Sequence, residues 1–178
     1  MIRFSTLDVE MPPVDPQRDK AWISQVVESY GKTVGELYYY FCSDEKLLEI
    51  NRERLGHDFY TDIVTFPLTD CETVLSSEFC ISIDRIKENA VTFGRSYESE
   101  LHRVIIHGVL HLICFDDHSE EEEKEMRDQE EKALTLLTGG TTQEPSTVMA
   151  DADPPSPLCE DKTPHSGDCG SIAVLRPR

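Results

Sequence analysis

HGVLHLICFDDH, residues 107–118, sets two histidines four positions apart inside an apolar run. His107 and His111 therefore share one face of a helix, one turn apart. Leu101, Val104, Ile105, Ile106, Val109, Leu110, Leu112 and Ile113 place apolar side chains all round that helix, read here as residues 98–113. A helix that is apolar on every side is a buried one. Two imidazoles are costly to bury without partners. A divalent metal supplies one explanation, since histidines at this spacing can reach a single ion at about 2.0–2.1 Å. Two hydrogen-bonded core histidines supply the other.

The helix is expected to end near Phe115, after which the chain turns through Asp116 and Asp117. A third ligand from that turn would close on the same ion. A fourth position would then stay open for water, as in catalytic rather than structural sites. In HExxH zinc peptidases a glutamate follows the first histidine as general base. Here that place is taken by Gly108, so a peptidase of that design is disfavoured. A glycine inside a helix costs up to about 1 kcal/mol, so Gly108 is there for packing or access.

Outward from this helix, residues 2–5 (IRFS), 36–42 (ELYYYFC), 61–67 (TDIVTFP) and 78–83 (EFCISI) read as strands. A first helix starts at Asp19, carries Trp22, Ile23, Val26, Val27 and Tyr30 at helical spacing, and is closed by Gly31. Asp44 is the expected N-cap of a second, with Leu47, Leu48, Ile50 and Leu55, and Asp84 that of a third running to Gly94. Ser119 opens the last helix, with Glu122 completing a capping box and residues 120–123 all acidic where the helix dipole favours them. These elements predict an α+β fold: a small mixed β-sheet packed against several helices, with the metal site on a buried central helix.

The 178 residues divide unequally. Every aromatic residue lies at or before Phe115, and residues 139–178 hold 10 Pro and Gly with 8 Ser and Thr. The expected organisation is one domain over 1–138 and a disordered tail over 139–178. Cys159, Cys169 and His165 in the tail are too scattered to define a metal site. The six cysteines contain no CxxC pair and are expected to be free thiols. The N-terminal MIRFSTLDVEMPP lacks the apolar core of a secretory signal, and no run of 18 apolar residues exists, so a cytoplasmic protein with no membrane partner is expected. A net charge of −18 argues against non-specific nucleic-acid binding through bulk charge.

The same stretch, HGVLHLICFDDH, resembles the signature of the YbeY family of bacterial rRNA maturation factors, His-Gly-x-Leu-His-Leu-x-Gly-Tyr-Asp-His. TDIVTFP is similar to that family's Thr-Asp/Asn-Val-Leu-Ser-Phe-Pro strand, Asn51 stands ten residues before Thr61, and Met126 and Arg127 lie in an acidic last helix. The resemblance covers most of residues 36–138. It implies a zinc-like ion, one per chain, held by three side chains. It also implies single-strand-specific endoribonuclease activity, with 16S rRNA 3′ maturation and ribosome quality control as the setting. Implied partners are the 16S rRNA precursor and the small ribosomal subunit or its assembly proteins.

Three departures bear on the site. The family's third histidine falls on Asp117, with His118 one residue later. The third ligand is therefore Asp117 by register, or His118 if the turn carries an insertion, and not both. A carboxylate can ligate zinc at about 2.0–2.2 Å. The family's turn glycine is Cys114, which would be strained at positive φ and otherwise reads as buried filler. The substrate-facing arginine of the family falls on Leu55, with Arg54 adjacent and Arg52 nearby as candidate substitutes. No general acid or base is evident, although Asp62 is a candidate for that role or for substrate contact. Arg52, Arg54 and His57, and a second group of Arg85, Lys87, Arg95 and Arg103, are the local positive charge open to RNA. Weak free-RNA affinity with steep salt dependence is expected, with recruitment through ribosomal or assembly proteins. The competing expectations are a non-catalytic, zinc-stabilised ribosome assembly factor and a metallohydrolase of another class.

Overall fold

The computed structural model describes residues 1–69 and 73–139. The expected tail, with Cys159, His165 and Cys169, lies outside them, as does Cys71. The elements run β1 (Ile2–Thr6), α1 (Pro16–Ser29), β2 (Thr33–Cys42), α2 (Asp44–Leu55), β3 (Ile63–Pro67), β4 (Val74–Ser82), α3 (Ile83–Thr92), α4 (Tyr97–Leu112) and α5 (Glu120–Thr138). The sheet order is β1-β2-β4-β3. β1, β2 and β4 are parallel, and β3 returns antiparallel along β4.

The two faces of the sheet follow from strand alternation. Leu37, Tyr39 and Phe41 of β2, with Phe79 and Ile81 of β4 and Ile63 of β3, face the main core, which α1, α3, α4 and α5 complete. Tyr40, Cys42, Val64, Phe66 and Cys80 face the other way, where Leu47, Ile50 and Leu55 of α2 cover them. Helix α4 is the centre of the main core: Leu101, Ile105, Ile106, Val109 and Leu110 are fully buried. Each such side chain contributes about 1.5–3 kcal/mol. Gly108 is what lets this helix lie so close to the sheet. A Cβ there would come within 2.7 Å of Ile63 Cδ1 and 2.9 Å of the Phe79 ring, so packing, not access, explains the residue.

Several local expectations are corrected. Ser43, not Asp44, caps α2, accepting from the Lys46 amide, and Ser82, not Asp84, caps α3, accepting from Arg85. The hydroxyl preceding each aspartate takes the cap, which releases Asp44 to bind the Arg85 guanidinium at 3.0 Å. Helix α4 ends before Phe115: Ile113 is its C-cap and Cys114 has φ 83°. The Phe115 amide donates to Leu110 O and the Cys114 amide to His111 O, both at 3.1 Å. That is the Schellman arrangement, and it requires a left-handed residue at 114. Cys114 is exposed because the left-handed turn carries it off the core, so it is not buried filler. Cys42 and Cys80 are the buried free thiols, pushed up to about 12 and about 11 by burial. The capping box at Ser119 and Glu122 is present as expected. Among the described residues no helix is long and apolar enough to cross a membrane.

Candidate metal centre

The Schellman turn builds the site. By reversing the chain after His111 it returns the Phe115 carbonyl to His111 Nδ1, which donates to it at 2.9 Å. Two residues on, it delivers Asp117, whose Oδ2 stands 3.9 Å from His107 Nε2. His107, His111 and Asp117 thus bring three potential ligand atoms within 4.8 Å of one another. His118 is exposed and outside this group.

The hydrogen bonds assign the protons. His107 Nδ1 lies 2.6 Å from Glu130 Oε1, and His111 Nδ1 meets a carbonyl oxygen. Both partners only accept, so both Nδ1 atoms carry hydrogen. The two Nε2 atoms then face each other at 2.9 Å, with the rings nearly perpendicular at 89°. Burial first, and His107 second, push the His111 imidazole down to about 4, so it is neutral near pH 7. With neither a proton nor a cation between them, two lone pairs facing at that separation repel. A cation between them, with the Asp117 carboxylate beside it, removes the conflict. Donors about 2.0–2.1 Å from a tetrahedral ion lie roughly 3.4 Å apart, and the observed 2.9 and 3.9 Å bracket that spacing. Two imidazoles and one carboxylate also suit a zinc-class ion. The residues present fit such a metal.

One residue of the centre was not anticipated. Glu130 of α5 is 1% exposed. Its Oε2 accepts from Arg103 Nη1 at 2.8 Å while its Oε1 serves His107. Arg103, expected as surface charge for RNA, is instead buried between α4 and α5, and its Nη2 donates to Glu131. The signal was the helical spacing Met126, Glu130, Ala133, which puts the carboxylate on the buried face of α5.

The other candidates lie elsewhere. Asp62 is half-buried at the start of β3 and accepts from Asn89 Nδ2 at 3.3 Å, while its backbone oxygen accepts from Ser82. Asn51 is buried and donates to Phe59 O, tying down the segment that leads into β3. Arg52 and Arg54 are both 55% exposed, Arg52 paired with Asp58 and Arg54 with Glu78. The Arg54 guanidinium also lies 4.7 Å from the centroid of Phe66. His57 is exposed and stacked on Phe59. Of the second group, Arg85 pairs with Asp44 and Glu88, Lys87 with Asp84, and Arg95 with Glu100.

The family model described as endoribonuclease YbeY matches residues 7–138. The chain is 47% identical over 135 residues to an endoribonuclease YbeY from Bacteroides thetaiotaomicron, covering 76% of this chain and 98% of that one. It is 46% identical over 136 residues to one from Porphyromonas gingivalis, covering 76% and 89%. The solution structure of TM1509 from Thermotoga maritima superposes with a TM-score of 0.59 at 28% identity, over 78% of this chain and 90% of that one.

Proposed function

The chain belongs to the YbeY endoribonuclease family, and from that premise we propose that it cleaves single-stranded RNA during ribosomal RNA maturation with a zinc ion held by His107, His111 and Asp117. The observation that carries the reading is the pair of Nε2 atoms 2.9 Å apart beside a carboxylate. When bound, the ion supplies Lewis-acid polarisation of a phosphoryl oxygen or activation of water.

The protein's own residues do the rest. His107 and His111 present Nε2 because Glu130 and the Phe115 carbonyl hold their Nδ1 protons. Asp117 brings the third donor and a negative charge, so the centre carries one positive charge fewer than a three-histidine site. Arg52 and Arg54 supply phosphate contacts. Both arginines are exposed, with Asp58 exposed and Glu78 partly so; surface pairs of this kind are worth only about 0–1 kcal/mol, so a phosphate can replace a carboxylate at little loss. The net charge of −18 opposes RNA everywhere else. Binding of free RNA is therefore weak, and docking through ribosomal or assembly proteins supplies the remaining affinity. The 16S precursor as substrate, a cytoplasmic location and a folded unit ending near residue 138 belong to the same proposal.

The test is cleavage of a single-stranded RNA by the purified chain, by the chelator-stripped chain before and after zinc is restored, and by His111→Ala. Cleavage lost on stripping, restored by zinc and absent from His111→Ala supports the reading. Cleavage that survives in His111→Ala, purified identically, contradicts it.

A further inference from the structure

We propose that Glu130 is a positioning residue for the metal centre: it holds His107 with hydrogen on Nδ1 and Nε2 bare, while Arg103 occupies its other oxygen. The inference rests on the reading of His107 and His111 as ligands.

Arg103, His107 and His111 stand at i, i+4 and i+8 on α4, so they line one helical face. Glu130 enters that line from α5 and is 1% exposed. Its two oxygens serve two donors, His107 Nδ1 at 2.6 Å and Arg103 Nη1 at 2.8 Å. The opposite tautomer of His107 would set a bare Nδ1 against a carboxylate oxygen at that same separation, and is excluded. The ring is thereby fixed both in tautomer and in direction, its far nitrogen aimed at His111.

The two candidate ligands are supported differently. His111 leans on a neutral carbonyl of its own turn, whereas His107 leans on a buried anion from another helix. A carboxylate behind an imidazole also makes it a more basic ligand. A glutamate is required here because both neighbours are donors. An amide offers one oxygen and one NH2 group, so it can accept from Arg103 or from His107 Nδ1–H but not from both, and it satisfies both only if His107 turns to the other tautomer. Glu130→Gln therefore keeps the shape and either breaks one of the two bonds or turns the His107 tautomer.

The experiment uses the full chain and Glu130→Gln, each metal-free and then titrated with zinc. Imidazole nitrogen chemical shifts from NMR report the His107 tautomer, and competition with a chromophoric chelator reports zinc affinity. The expected result is a single tautomer in the wild type, bare at Nε2 before zinc is added. Glu130→Gln loses that single tautomer, and its zinc affinity falls about 10–100-fold. A merely structural ion pair between α4 and α5 would leave the tautomer unmoved. A wild type protonated at His107 Nε2 and bare at Nδ1 overturns the proposal. So does a folded Glu130→Gln with wild-type tautomer and affinity. If that variant does not fold, the wild-type spectrum decides alone. A wild type that binds no zinc overturns the metal reading instead, and the tautomer still judges Glu130.

Discussion

Helix α4 and the C-terminal end of α2 both gather cationic or imidazole side chains, and they are built in opposite ways. Along one face of α4, Arg103 and His107 are buried and His111 is largely so, and each meets a fixed acceptor. At the end of α2, Arg52 and Arg54 are exposed, Arg52 paired with the exposed Asp58 and Arg54 with the partly exposed Glu78 and the Phe66 ring. The difference teaches what each place can do. A buried group that loses its partner keeps the desolvation penalty, so the arrangement is rigid and its geometry reproducible. An exposed pair exchanges partners at almost no cost, which suits a surface that must trade carboxylate for phosphate.

Substitutions at the two places should separate them. The largest effect is expected for Arg103→Met, which leaves Glu130 buried opposite an apolar side chain. Breaking such a pair costs about 3–5 kcal/mol, and urea unfolding would show it. A loss below about 1 kcal/mol, the range of exposed pairs, would mean that the α4 face is no more committed than the α2 end. His111→Ala comes next. It removes a candidate ligand outright, so zinc affinity should fall by more than the roughly 10–100-fold that follows loss of a supporting residue, as read by chelator competition.

At the α2 end, Arg52→Ala and Arg54→Ala should barely change stability, by less than about 1 kcal/mol. Each should instead weaken RNA binding and flatten the slope of log affinity against log salt by about 0.7, the value for one phosphate contact on a single strand. Fluorescence anisotropy across a salt series measures both, and an unchanged slope would remove these arginines from the RNA face. The smallest effect is expected at Cys114. Glycine there relieves a left-handed residue at φ 83°, so Cys114→Gly should stabilise by about 1 kcal/mol without altering zinc binding. A thermal melt that falls instead would contradict the turn geometry.

The same contrast explains what could be read from the sequence. The apolar run around His107 and His111 announced a buried helix because periodicity is local. The α+β class and the mixed sheet followed from strands and helices with clear boundaries. The caps were misplaced by one or two residues because serine and aspartate compete for the same role within a turn. Arg103 was misjudged since its partner lies 27 residues away on another helix, a distance no local pattern spans. Glu130 was hidden for the same reason, lost in the acidic run of α5. Asp117 and His118 were indistinguishable by residue type, since both can ligate a metal. The turn at Cys114 separates them by directing Asp117 toward His107 and leaving His118 at the surface.

The separation of Asp117 from His118 is tested most directly by zinc content. Bound zinc per chain would be measured for wild type, Asp117→Ala and His118→Ala after equilibration against one chelator buffer. One zinc is expected in the wild type, one in His118→Ala and none in Asp117→Ala. Zinc kept by Asp117→Ala and lost from His118→Ala would contradict Asp117 as the third ligand.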